Sequence, residues 1–158
     1  PVAVTFDASQ PQRITLADGT HIFIPAGAMP VEGRVTLHIT PIATLSHQRH
    51  ANVYKYGYAF TAVDSSGEPI TEHFDQDVVI GFSYEEAELR RLRIAERLLK
   101  PAYYSTTTER WEFPESYVVD QTRNIVLMQI DHFTDFALTG TSDTSGYELF
   151  LPLVLRTG

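Results

Sequence analysis

The chain of 158 residues contains no cysteine, and this absence excludes several classes of protein. A disulfide scaffold, a cysteine-ligated zinc site, an iron–sulfur cluster and a thiol nucleophile all require cysteine. Basic residues are also few: 12 Lys and Arg face 20 Asp and Glu, and the net charge of -8 argues against nucleic-acid binding. No apolar run approaches the roughly 18 residues that span a bilayer, so we expect no membrane insertion.

Motifs for small-molecule catalysis are missing as well. The sequence has no Gly-rich phosphate loop, no Gly-x-Ser-x-Gly elbow and no His-Glu-x-x-His helix. We therefore expect no cofactor and no bound metal. Any activity would be intramolecular self-cleavage.

What the sequence does have is a series of short strand-like segments separated by turns. Residues 35–40 alternate apolar with polar, residues 78–82 form a nearly continuous apolar run typical of a central strand, and Asp18-Gly19 is a hairpin-turn signal. The other segments are residues 13–16, 21–24, 55–63, 102–105, 117–119 and 125–130. Strands at this spacing predict an all-β sandwich or barrel.

One amphipathic helix is expected within the β-domain, at about residues 84–99. Ser83 and Glu86 have the spacing of a capping box, and Pro101 would end the helix. Its charged residues are of both signs, so we expect it to cover a sheet rather than to bind an anionic partner.

The expected organisation is one domain with a C-terminal extension. Residues 1–138 form the β-sandwich, residues 139–147 a polar linker, and residues 148–158 an apolar strand or tail. The tail is read as an edge strand of its own sheet, with a sorting or anchoring element, or a strand donated to a neighbour, as alternatives. The oligomeric state stays open.

With no cysteine in the sequence, histidines and carboxylates are the candidate metal ligands. His47 and His50 are three residues apart, but no third ligand is near them and the stretch lacks helical periodicity, so we expect a surface loop. Residues 64–68 and 75–77 do not match a calcium-binding loop. The remaining histidines beside strand-like segments are interpreted as structural: His21, His38 and His73.

A different chemistry is suggested by the tripeptide His132-Phe133-Thr134, which follows a predicted strand at a bend. A histidine two residues before a hydroxyl can act on it as a general base. If the turn is strained, Thr134 Oγ can attack the Phe133 carbonyl, and water can then hydrolyse the resulting ester. The alternative is a histidine hydrogen-bonded within the sheet, with Thr134 beginning the last strand.

A family resemblance rests mainly on residues 22–29, IFIPAGAM. They resemble the "I-x-I-P-x-G-A-hydrophobic" signature of the ankyrin-type ZU domain, the module shared by zonula occludens proteins, netrin receptors and ankyrins. Residues 56–60, YGYAF, Pro69 ahead of an apolar strand, and Trp111 after a tyrosine-rich strand also resemble its bacterial secreted relatives. The resemblance covers residues 12–138 and implies an antiparallel β-sandwich outside the cytoplasm.

The tripeptide adds a second resemblance. It is similar to the His-Phe-Ser step at which some ZU-containing death-domain proteins cut themselves, and to the His-Leu-Thr step of the GAIN domain of adhesion receptors. Residues 134–138, TDFAL, resemble the sequence that follows the GAIN step. The resemblance implies Thr134 as nucleophile, His132 as base and Phe133 as acyl donor. Adhesion-receptor sites also have disulfides and tryptophans, whereas this chain has no cysteine and only Trp111.

Three functions follow as hypotheses. The first is a non-enzymatic structural or protein-interaction module of a secreted or cell-surface bacterial protein, whose partner is another protein or other domains of the parent protein. The second is an autoproteolytic domain that cuts between Phe133 and Thr134 and keeps its fragments associated. The third is a carbohydrate or surface-ligand binder that uses aromatic side chains. The aromatic candidates are Tyr54, Tyr103, Tyr104 and Trp111.

Overall fold

The computed structural model describes residues 1–42 and 53–141, with side chains for 1–42 and 57–141. Eleven β-strands and one α-helix occupy these ranges. The strands are β1 (Val2–Asp7), β2 (Gln12–Thr15), β3 (His21–Ile24), β4 (Arg34–Pro41), β5 (Val53–Val63), β6 (Val78–Ser83), β7 (Lys100–Ser105), β8 (Arg110–Glu112), β9 (Tyr117–Asp120), β10 (Ile125–Ile130) and β11 (Asp135–Thr139). The helix is α1 (Glu86–Leu92).

The strands form two antiparallel sheets. The first has the order β1-β4-β5-β11-β7-β8, and the second has the order β2-β3-β6-β10-β9. The expected all-β, sandwich-like architecture is therefore confirmed. The apolar run that predicted a central strand is β6, which lies in the middle of the second sheet.

The core lies between the two sheets and follows from strand alternation. In β4, Val35, Leu37 and Ile39 are buried while their neighbours face outward. In β10, Val126 and Met128 point inward in the same way. Because successive side chains of a strand point to opposite faces, this alternation lets each sheet contribute one apolar layer to a single core.

Most residues of the segment IFIPAGAM have a structural role. Ile22 and Ile24 point from β3 into the core and are 1% exposed. After them the chain turns at Gly27, whose φ of 74° favours glycine and whose N–H donates to Ala8 O at 2.8 Å. The turn then places Ala28 in the core, where it is fully buried.

The expected helix is present, but it is shorter than the expected span of about residues 84–99. Ser83 does not cap the helix, because it is the last residue of β6 and pairs with Ile125 of β10. The helix ends at Leu92, since Arg93 adopts a left-handed conformation, φ 56° and ψ 38°. A short 3-10 turn, Glu96–Leu98, follows before β7 begins.

Strands β1 and β8 were not expected from the sequence, and both lie at edges of the first sheet. The polar linker and the apolar tail proposed for residues 139–158 lie almost entirely outside the described residues, as does the His47–His50 pair. Among the described residues, none of the helical segments has the length and apolar character required to cross a membrane.

Candidate functional site

The tripeptide His132-Phe133-Thr134 lies where the chain passes from one sheet to the other. Strand β10 ends at Ile130 in the second sheet, and β11 begins at Asp135 in the first. The chain from β5 to β6 makes the opposite passage, and the Phe74 N–H within it donates to Asp131 O at 2.7 Å. The two connections are therefore joined at one end of the sandwich.

Phe133 anchors this bend in the apolar core. Its ring packs edge to face against Phe74, with centroids 4.7 Å apart, and against Phe60 at 5.7 Å. Such aromatic pairs add about 0.5–1.5 kcal/mol each beyond the burial of their area. Phe133, whose carbonyl forms the peptide bond to Thr134, thus fixes the position of that bond.

His132 is oriented by the carboxylate next to it. Its Nδ1 lies 2.8 Å from Asp131 Oδ1, and its ring packs edge to face on Tyr103 at 5.8 Å. Because an ionised carboxylate only accepts hydrogen bonds, the neutral ring carries its proton on Nδ1 and leaves a lone pair on Nε2. This is the arrangement in which a histidine can act as a general base.

The hydroxyl of Thr134 has a different partner. Thr134 Oγ1 donates to Tyr104 O on β7 at 2.8 Å, while Thr134 O accepts from Phe60 N–H at 3.1 Å. The hydroxyl must leave the Tyr104 carbonyl before it can transfer its proton to a base. In residues 1–42 and 53–141, positive φ at non-glycine positions occurs at sites away from this bend: Arg93, Glu109 and Asn124.

Solvent reaches the tripeptide through a cavity of about 270 Å³ that His132, Phe133 and Thr134 line together with Glu72 and Thr106. A second cavity, of about 310 Å³, is also lined by His132 and includes Asp77 and Glu115 in its lining. All three residues of the tripeptide therefore border an open cavity.

His73 joins this site, which the sequence interpretation missed. It was taken as a structural histidine beside a strand, but its side chain is 78% exposed and its Nδ1 lies 3.1 Å from Asp131 Oδ2. The hydrogen bond from His132 and the nearby imidazoles hold the pKa of the Asp131 carboxyl below its ordinary value. The one signal in the sequence is that both histidines are followed by phenylalanine.

The other histidines in the described ranges lie apart from this group. His38 is exposed on β4, and the ring of His21 lies over Gly81 on the outer face of the second sheet. Among the acidic stretches, Asp64 Oδ1 accepts from Ser66 N–H, Ser66 Oγ and Glu68 N–H at 2.7–3.0 Å. These bonds close a turn.

The aromatic candidates for ligand binding lie mostly on β7 and β8. Tyr104 and Trp111 pack edge to face with centroids 5.9 Å apart, and both are half-buried. Tyr103 donates to Glu112 Oε2 at 3.1 Å, and burial raises the pKa of its phenol. The side chain of Tyr54 lies outside the described residues.

Compared with known proteins, the chain matches no protein-family model, and no curated protein sequence is significantly similar to it. The geometry of the described residues therefore carries the functional argument.

Proposed function

We propose that this chain is a non-enzymatic β-sandwich module of a secreted or cell-surface bacterial protein, with a structural or protein-interaction role. The observation that carries the proposal is an apolar groove beside an open sheet edge. This groove lies on the second sheet, has a volume of about 330 Å³ and is lined by Val79, Val118 and Leu127. Val118 is 57% exposed within this groove, and contiguous exposed apolar surface is typical of interaction sites.

The edge beside the groove is strand β9. In the described part of the chain β9 pairs only with β10, so its outer backbone groups are free to pair with another strand. A partner segment in extended conformation would add to this edge by main-chain hydrogen bonds and place an apolar side chain beside Val118. The resemblance to ZU domains, which are interaction modules, supports the same role.

Site-specific photo-cross-linking tests this proposal. A photoreactive amino acid replaces Val118 on β9 or, as a control, Val2, which is 45% exposed on edge strand β1 of the other sheet. The labelled module is displayed within its parent protein, and the products are identified by mass spectrometry. We expect a defined cross-linked product at Val118 that an excess of unlabelled protein suppresses and an excess of the Val118→Lys variant does not. Equal or no cross-linking at the two positions would contradict the proposal.

A second candidate function is self-cleavage between Phe133 and Thr134, favoured by the Asp131–His132 pair beside the peptide bond. Thr134 Oγ would attack the Phe133 carbonyl carbon as His132 Nε2 takes the hydroxyl proton. That proton then passes to the Thr134 nitrogen as the C–N bond breaks, which leaves an ester. Water hydrolyses the ester to the Phe133 carboxylate and frees the Thr134 hydroxyl. Strand β11 would stay paired between β5 and β7, so the fragments would remain together.

Intact-mass analysis decides between the two functions. Self-cleavage predicts fragments of 133 and 25 residues, which Thr134→Ala and His132→Ala would both abolish. Thr134→Ser keeps a hydroxyl nucleophile and serves as the matched control that should still be cut. A full-length mass for the unaltered protein after long incubation at neutral pH would refute this second candidate and leave the first intact.

A further inference from the structure

Two His-Phe dipeptides, residues 73–74 and 132–133, lie side by side where the chain passes between the sheets. In each, the phenylalanine packs with the core and the histidine faces outward. The Phe74 and Phe133 centroids are 4.7 Å apart and those of His73 and His132 are 5.9 Å apart, with both ring pairs at 66°. The packed phenylalanines thus hold the two imidazoles next to each other on the surface.

Asp131 lies between the two imidazoles. Its Oδ2 is 3.1 Å from His73 Nδ1 and its Oδ1 is 2.8 Å from His132 Nδ1. Its backbone carbonyl accepts the Phe74 N–H, which fixes the carboxylate relative to both dipeptides. One acidic residue therefore contacts two histidines that are 59 positions apart along the sequence.

These three side chains have the spacing of metal ligands. One donor atom from each of His73, Asp131 and His132 lies within 4.8 Å of the other two. In a tetrahedral zinc site with bonds of about 2.0–2.1 Å, neighbouring ligand atoms are about 3.3 Å apart. The contacts of 2.8 and 3.1 Å use different oxygens of Asp131, so an ion held by one oxygen and both imidazoles would bring donor atoms that now lie within 4.8 Å to about 3.3 Å from one another. The His73 side chain can make this adjustment because it is 78% exposed.

The surroundings of the histidine cluster, as we call His73, Asp131 and His132, are acidic. Asp77 and Glu115 line the cavity that includes Asp131 and His132, and Glu72 lines a second cavity that also includes His132. With a net charge of -8 on the chain, the local field favours a cation and disfavours an anion.

We propose that the histidine cluster binds a divalent transition-metal ion of the zinc class through the two imidazoles and the carboxylate. Two nitrogen donors and one oxygen donor suit Zn²⁺, Cu²⁺ or Ni²⁺, whereas Mg²⁺ and Ca²⁺ prefer oxygen donors alone. Three protein ligands leave one position of a tetrahedral ion for water or for a ligand atom from a partner.

The bound ion would link the connection before β6 to the connection before β11. This cross-link would stabilise the end of the sandwich, because the ion binds the folded arrangement and not the unfolded chain. It would also place the proton of the neutral His132 ring on Nε2, which removes the lone pair that a general base needs. That last consequence rests on the self-cleavage candidate, whereas metal binding itself does not.

The probe is ZnCl₂, titrated by calorimetry into metal-free, untagged protein at pH 7.5, where free imidazole is mostly neutral. We expect saturable binding of one Zn²⁺ per chain. His73→Ala, His132→Ala and Asp131→Asn should each weaken binding at least about tenfold, since each removes a ligand. His38→Ala, an exposed histidine on β4, is the matched control and should bind like the unaltered protein.

A second measurement shows whether each variant is folded and whether zinc stabilises it. Thermal unfolding with and without ZnCl₂ should show a higher Tm for the unaltered protein and no change for Asp131→Asn. The double variant His47→Ala/His50→Ala should keep its zinc affinity and its Tm increase. The proposal is overturned if no saturable binding is found up to millimolar ZnCl₂, if the cluster variants bind normally, or if the double variant loses binding.

Discussion

Replacing Gly57 by alanine tests how β11 is held in the first sheet. Tyr56 and Tyr58 pair with consecutive residues of β11, Ala137 and Phe136, so Gly57 is the extra residue of a β-bulge. A Cβ at Gly57 would lie 1.8 Å from the Phe136 carbonyl oxygen and 2.6 Å from its carbonyl carbon. Because both atoms belong to the backbone, no side-chain rotation can relieve the contact.

The cost of Gly57→Ala can be estimated from this geometry. An ordinary carbon-to-oxygen contact is about 3.3 Å or longer, so the strands must separate by roughly 1.5 Å. That displacement removes about two ladder hydrogen bonds at 0.5–1.5 kcal/mol each and adds about 1–3 kcal/mol of packing strain. Alanine recovers about 0.4–1 kcal/mol by restricting the unfolded chain. We therefore expect the free energy of unfolding to fall by about 3 kcal/mol.

Urea denaturation followed by circular dichroism measures this loss, with Gly81→Ala as the matched control. Gly81 is also a strand glycine, but its added Cβ would meet the His21 ring, 2.4 Å from Cε1, and that side chain can rotate away. We expect Gly81→Ala to stay within about 1 kcal/mol of the unaltered protein. Equal losses for the two variants would refute the argument that backbone contact at the bulge decides the cost.

Three further predictions concern the core and two titrating groups. Phe136→Ala should lower the free energy of unfolding by about 3–5 kcal/mol in the same assay, because the ring is fully buried, and a loss below about 1 kcal/mol would contradict that burial. Burial and Glu96 raise the pKa of Tyr84, so the stability that its protonated phenol contributes is present below about pH 10 and is lost as pH rises further. In unfolding measured as a function of pH, Tyr84→Phe should therefore remove the part of the alkaline loss of stability that Tyr84 causes. The pKa of Asp131 is lowered in the folded protein, so its contribution to stability is present above about pH 4 and is lost as pH falls through the pKa of the folded state. The difference in unfolding free energy between the unaltered protein and Asp131→Asn should therefore shrink between about pH 5 and pH 3, and a constant difference would contradict this prediction.

Strand positions were predictable because they follow from local alternation. Residues 21–24 and 125–130 match β3 and β10 in both bounds, since apolar and turn residues mark them directly. The short edge strands β1 and β8 were missed, although the β1 sequence VAVTFD is rich in apolar residues. In β1, only Phe6 is buried, and β8 has no buried residue.

The helix shows where local signals mislead. Ser83 and Glu86 have the capping spacing, but the backbone of Ser83 pairs with Ile125, and the sheet decides its conformation. Downstream, Leu92 and Leu98 are 38% and 37% exposed, whereas a helix continuous over residues 84–99 would place them near one face. Arg93 adopts a left-handed conformation that changes the direction of the chain, and the periodicity of apolar residues does not predict this change.

For the candidate site, the sequence by itself determined the order of His132, Phe133 and Thr134 and their place after a strand. Only the tertiary structure decided which groups these side chains contact. Asp131 is a sequence neighbour of His132, but His73 reaches the same carboxylate because two connections between the sheets are packed together through Phe74 and Phe133. Contacts between residues so far apart depend on the pairing of both sheets, and no local pattern of residues encodes that pairing.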